Sequence, residues 1–254
     1  MLHAFYDNTF YVKRLNALRR IEYGCATHVG LVRSNNEDSY IAEPALGLWL
    51  VADGMGGHES GEIASAIVTE HVVASIQAGT SLEKALLSSH NAILNAPDVG
   101  RGERGMGSTA VGISIDGTHF HIAWVGDSRA YFWNNSSLNL LTHDHSVVQK
   151  LIDAGAISPA EAESHPASNV LTQAIGFAGI TEINVSIIDG VLKYNDRILL
   201  CSDGLNRELA DSEIEAVFSK SISVQATADL LVQSAIEHGG SDNVTAIVLS
   251  YSTR

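Results

Sequence analysis

Leu46 to Ala52 is a nearly continuous apolar run, as expected of a strand buried on both faces. Thr109–Ile115 and Thr118–Val125 instead alternate in polarity around Asp116-Gly117. Both turn residues tolerate positive φ, so this pair predicts a β-hairpin. Asp196–Ser202 and Asn243–Tyr251, rich in Ile, Leu and Val, predict further strands. Elsewhere the period changes. Ser60–Gln77 places Ile63, Ile67 and Ile76 near one helical face. Thr80 and Glu83 form a capping-box pattern that opens a second helix carrying Leu82, Leu86 and Ile93. Ser223–His238 predicts another helix, with Gly239 placed to stop it, and Asp144–Ser168 predicts short helices. Two successive helices followed by a hairpin break strict strand-helix alternation. The order therefore favours an α+β class with antiparallel sheets covered by paired helices over a doubly wound parallel sheet. No repeat or linker divides the chain, which predicts one domain over 22–254 after an N-terminal extension, 1–21.

Composition narrows the partners. The 254 residues carry a formal charge of −14, which argues against a nucleic-acid backbone or an anionic membrane as partner. The charge suits a protein that concentrates cations, and an acidic surface serving solubility accounts for it equally well. Cys25 and Cys201 have no paired spacing, which fits a reducing compartment. No apolar run approaches the roughly 20 residues that span a bilayer. Lys13, Arg14, Arg19 and Arg20 are not followed by the apolar stretch of a secretory signal. The expected location is cytoplasmic, the expected state a monomer.

The chemistry lies where the strands end. Leu48–Ala52 runs into Asp53-Gly54, Ile198–Ser202 into Asp203-Gly204, and Ile122–Gly126 into Asp127-Ser128, while Asp242-Asn243 precedes the last strand. A lone Asp-Gly is most often a turn. Four such sites, with the acidic pair Glu37-Asp38, suggest carboxylates delivered to the rim of a buried sheet. There they would be poorly solvated and mutually repulsive, and a divalent cation removes both problems. The ligand set is all oxygen, which points to Mg²⁺ or Mn²⁺ and away from Zn²⁺. Glycine after Asp53 allows close backbone approach, so the Gly54 carbonyl is itself a candidate ligand.

Gly30-Leu31-Val32-Arg33-Ser34-Asn35-Asn36-Glu37-Asp38 resembles the opening motif of the type 2C, metal-dependent protein Ser/Thr phosphatases. Val51-Ala52-Asp53-Gly54-Met55-Gly56-Gly57-His58, followed by Gly61-Glu62, is similar to the bacterial form of the second motif. Gly107-Ser108-Thr109, Val125–Arg129, Leu171–Gly176, Cys201–Gly204 and Ser241–Asn243 match later motifs in family order. The resemblance covers about residues 23 to 251. It implies two stacked antiparallel sheets flanked by helix pairs, a four-layer α-β-β-α sandwich, with a flap near 146–168. It implies hydrolysis of phosphoserine and phosphothreonine by in-line attack of a metal-bridging water, without a phosphoenzyme. By position, Asp53 bridges two metals, and Asp203 and Asp242 complete one site. Gly54 and Glu37 serve the other, and Asp127 with Asp203 holds a third, weaker ion. Asp38 orients water, and Arg33 takes the phosphate with its planar fork. The partners implied are phosphorylated proteins, including a cognate Ser/Thr kinase or its substrates.

Two positions depart from the family pattern. Met55 stands where many eukaryotic members have His, and a thioether donates no proton, so His58 or metal-bound water becomes the candidate acid. Gln173 replaces a frequent Arg. The glycines from Gly54 to Gly61 lack the Lys-Ser/Thr ending of a P-loop, which argues against an ATPase. His143 and His145 around Asp144 suggest a surface position beside the flap more than another metal site. A pseudophosphatase would be favoured by loss of a metal-ligand Asp, and none is lost. A glycosidase needs only two acids. The same chemistry aimed at a dedicated regulator, such as an anti-sigma-factor antagonist, stays open.

Overall fold

The structure is a computed structural model, and it describes residues 21–57, 60–177, 179 and 182–252. Eleven strands among them form two sheets, with every strand pairing antiparallel. The first runs in the order β1 (Ile21–His28), β11 (Val244–Tyr251), β10 (Arg197–Cys201), β7 (Arg129–Trp133), β8 (Leu138–Leu140). The second runs β2 (Asp38–Glu43), β3 (Leu48–Met55), β5 (Ala110–Asp116), β6 (His119–Val125), β9 (Ser186–Val191), and the short β4 (Gly107–Ser108) pairs with β3.

The period-2 pattern explains the layering. On β3, Leu48, Leu50 and Ala52 face α1 (Ser60–Gln77) and α2 (Leu82–Asn95), whereas Trp49 and Val51 point toward the other sheet. On β11, Val244, Ala246 and Val248 pack on the second helical layer, while Ile247 and Leu249 join Trp49, Val111, Ile113, Ile198 and Leu200 between the sheets. That second layer is α5 (Asp203–Glu208), α6 (Asp211–Phe218) and α7 (Val224–His238). Helices on both outer faces are why these strands read as unbroken apolar runs. A fully buried leucine such as Leu50 contributes roughly 1.5–3 kcal/mol by leaving water.

The hairpin turns at Asp116-Gly117, where Gly117 has φ +65°. Ser223 caps α7 by accepting from the Ala226 N–H, and Gly239 follows its last turn. The cap of α2 differs from the expected one. Ser81, not Thr80, precedes the helix, and its side chain makes no capping hydrogen bond. The Thr80 N–H instead returns to the Ser75 carbonyl at 2.9 Å, closing the end of α1.

Two short helices, α3 (Val147–Asp153) and α4 (Pro159–Glu163), occupy the stretch between β8 and β9. Ser146 pairs with Leu171 in an isolated bridge, reinforced by Val147 N–H to Val170 O and Thr172 N–H to His145 O, both 2.8 Å. A second bridge joins Ser108 to Ile175.

Candidate metal centre

The acids gather where the two sheets meet at one end. Asp38 and Asp53 are directly opposed across β2 and β3, and Asp53 shares the strand parity of Trp49 and Val51, so both carboxyls turn toward the facing sheet. Ser202, just after β10, donates its hydroxyl to Asp38 Oδ2 at 2.7 Å and thereby links the sheets. The Thr245 N–H donates to that same hydroxyl oxygen at 2.9 Å. Asp203 begins α5, Asp242 precedes β11, and Asp127 lies in the turn between β6 and β7.

The backbone around Asp53 is held tightly. Its carbonyl accepts from the Thr109 N–H at 2.8 Å and the Ser108 hydroxyl at 3.0 Å, which gives the Gly107-Ser108-Thr109 motif its work. The Gly54 N–H donates to the Glu37 carbonyl. A Cβ on Gly54 would run into the Gly61 carbonyl, and one on Gly61 into the Glu37 carboxyl. Both glycines therefore form a cradle that brings the Glu37 carboxyl and the Gly54 peptide together.

Crowding shows in the protonation of these groups. Burial, followed by repulsion from Asp203, Asp38, Asp127 and Asp242, pushes Asp53 well above the usual carboxylate range. Burial and Asp203 raise Asp127 to about 8. Burial raises Asp38 to about 7 against the pull of the Thr245 and Ser202 hydrogen bonds, and also raises Asp203 and Glu37. Asp38 Oδ1 and Asp203 Oδ1 are buried with no hydrogen-bond partner among the described residues. Mutually repelling acids with orphaned oxygens, all hard donors, fit divalent cations of the Mg²⁺ and Mn²⁺ type. Among the described residues, no three acids, histidines or cysteines are drawn together as a ready cage. Arginines hold them instead. Arg33, half-exposed on its loop, donates to Asp242 Oδ2 at 2.9 Å. Arg207 pairs with Asp203 and reaches Asp242 Oδ2 at 3.1 Å.

A model of the family described as Protein phosphatase 2C matches residues 24–151. The chain is 32% identical over 236 residues to the serine/threonine phosphatase stp of Listeria welshimeri, covering 88% of this chain and 93% of that one. The chain belongs to the protein phosphatase 2C family. It is thereby an enzyme, a metal-dependent protein serine/threonine phosphatase. The crystal structure of the Mycobacterium tuberculosis serine/threonine phosphatase PstP/Ppp superposes with TM-score 0.82 at 34% identity, over 92% of this chain and 99% of that one. The PstP catalytic domain in complex with two manganese ions superposes with TM-score 0.81 at 32% identity, over the same shares.

Asp38, Asp53, Asp127, Asp203 and Asp242 interact within one cluster, with Glu37 and Arg33 beside it. His58 lies outside the described residues, as do residues 1–20 of the extension. His143 is exposed and His145 half-buried. The His145 ring stacks on Trp124 at 6.3 Å, with Nδ1 accepting from the Gly126 N–H and Nε2 bonded to Ser186 Oγ. Asp144 is taken by Arg129, and His143 by Asp153. Gln173 accepts the Asn184 N–H at 2.7 Å. Ser202 and Asn243 stand in the sequence motifs without an assigned role, and Arg207 stands in none. Asn243 accepts the Glu37 N–H and donates to the Val29 and Asn35 carbonyls, fixing the loop that carries Arg33.

Proposed function

We propose that the acid cluster holds two divalent cations, Mn²⁺ or Mg²⁺, and that the enzyme cleaves phosphoserine and phosphothreonine in proteins by in-line displacement at phosphorus. The carrying observation is the convergence of five buried or half-buried carboxyls from both sheets, each of four pushed up in pKa, beside the exposed Arg33. Asp53 would serve both ions, Asp203 and Asp242 one, and the Gly54 carbonyl and Glu37 the other, with Asp127 and Asp203 available to a third. When bound, the cations supply Lewis acidity and a water of lowered pKa at neutral pH.

The chain's own residues do the rest. Arg33 offers the substrate phosphate a planar, bidentate fork at the mouth of the cluster. Asp38, anchored through Ser202 and directly opposite Asp53, orients the attacking water. His58 delivers the proton to the leaving serine or threonine oxygen, an assignment that rests on sequence position. The substrates are phosphorylated proteins, a cognate Ser/Thr kinase or that kinase's targets among them. The enzyme acts in the cytoplasm as a monomer, without nucleic acid or membrane, and no helix among the described residues is long and apolar enough to cross a membrane. Residues 22–254 form the catalytic domain after the 1–21 extension, and 146–168 serve as its flap.

The test is phosphate release from a phosphothreonine peptide in the presence of Mn²⁺. Chelator and Asp53→Asn should each abolish it. Turnover surviving both would sink the two-metal reading.

A further inference from the structure

Arg207 lies on α5 one helical turn after Asp203, the i,i+4 spacing that stacks a guanidinium over a carboxylate. It contacts Asp203 Oδ2, donates to Asp242 Oδ2 at 3.1 Å, and lowers the pKa of Asp127 through its charge. One cation thus serves three acids that the proposed metals would also use. The neighbouring Glu208 carboxylate accepts the Ser241 N–H at 2.9 Å, which ties α5 to the loop that carries Asp242. The Arg207 side chain is 31% exposed, against 10% for Asp203 and 17% for Asp242. The guanidinium can therefore swing to solvent without opening the core, while the acids stay. Arg33 also reaches Asp242, but it sits farther out at 52% exposure.

We propose that Arg207 is a tethered counter-cation that neutralises Asp203 and Asp242 in the metal-free protein and competes with divalent metal for them. The proposal rests on the metal-site reading above. A divalent ion taking Asp203 and Asp242 would lie near a guanidinium of like charge, so Arg207 opposes loading and its withdrawal from the two Oδ2 atoms favours it. Two consequences follow from one contact: without metal the acids are spared part of their self-repulsion, and metal affinity is held below what the acids alone would give.

The test compares the full chain with Arg207→Gln and Arg207→Lys, all stripped with chelator, by calorimetric titration with MnCl₂ and by thermal melting. Arg207→Gln should bind Mn²⁺ about tenfold more tightly, and its metal-free form should melt several degrees below wild type, with the deficit shrinking at saturating Mn²⁺. Arg207→Lys keeps the charge and should stay near wild type in both. Equal or weaker Mn²⁺ binding by Arg207→Gln, or an unchanged metal-free melting temperature, overturns the proposal. If Arg207→Gln does not fold, ¹⁵N spectra of the wild-type arginine side chains decide, with the Arg207 signal assigned from its absence in Arg207→Lys. Mg²⁺ saturation should move that signal to the position of a solvated guanidinium, and an unmoved signal overturns the proposal. Absence of Mn²⁺ binding by wild type would overturn the metal reading itself, whereas normal wild-type binding with no gain in Arg207→Gln overturns only the role of Arg207.

Discussion

Asp38→Asn should make the metal-free protein more stable at alkaline pH and leave it little changed under mild acid. Burial raises the Asp38 carboxyl to about 7, against a free value near 4. The sign follows directly. Between those values the folded chain holds a proton that the unfolded chain has lost, so this group's contribution is complete below pH 4 and disappears as pH rises through 7. From pH 5 to pH 8 the wild type crosses about two units of that window, at about 1.4 kcal/mol each, and so loses about 3 kcal/mol that an amide cannot lose. The amide oxygen still accepts the Ser202 hydroxyl, so that link between the sheets persists. The amide nitrogen enters the place of the unpartnered Oδ1 at a cost of about 1–3 kcal/mol, which is common to both pH values and cancels in the comparison. For a chain of this length 1 kcal/mol moves the midpoint by about 2–4 °C, so the melting-temperature difference between variant and wild type should swing by about 6–12 °C in favour of the variant. Circular-dichroism melts in chelator at pH 5 and pH 8 measure it. A difference that stays constant within about 2 °C would refute the account of Asp38 as a strained acid.

Three further outcomes follow from the same geometry. Mn²⁺ binding at pH 6.5 should release protons, because Asp38, Asp53 and Asp127 must ionise to ligate or admit the ion; calorimetry in buffers of different ionisation enthalpy should give buffer-dependent heats, and identical heats would contradict this. Gly54→Ala should destabilise the fold by about 3 kcal/mol or more in urea denaturation and abolish turnover, since its methyl meets the Gly61 carbonyl, which is backbone and cannot rotate away. Asp144→Ala should cost about 3 kcal/mol in the same assay, because it strips the bidentate partner from Arg129, leaving a largely buried guanidinium held, among the described residues, by the Tyr131 hydroxyl; a loss below about 1 kcal/mol would show that water replaces the carboxylate.

What the sequence revealed and what it hid divide along physical lines. Strands β3, β10 and β11 are buried on both faces, so their apolar runs mark them with no knowledge of the partner strand. Edge strand β9 was invisible for the opposite reason: Ile187 and Val191 point outward, and its burial alternates against its hydropathy. β2 carries Asp38 at its first position, so site chemistry masks the strand. The acids were legible because each ends a strand or precedes one. Arg207 was not, since Asp203-Gly204 reads as a turn after a strand, whereas the chain enters α5 there and brings Arg207 back over Asp203. Asn243 and Glu37 meet across some two hundred residues of chain, and only the closed sandwich shows that contact. The second helical capping signal failed by one residue, within the ordinary uncertainty of helix ends.

The paired bonds between His145–Val147 and Val170–Thr172 give the stretch 147–170 a closed neck. Its two ends already sit one strand spacing apart, so the sandwich does not depend on how much chain hangs between them. Doubling the length of such a loop costs only about 0.6 kcal/mol in closure entropy. The stretch is in effect an exchangeable cassette: lengthening, trimming or grafting it leaves the strand pairing that places Asp53 untouched.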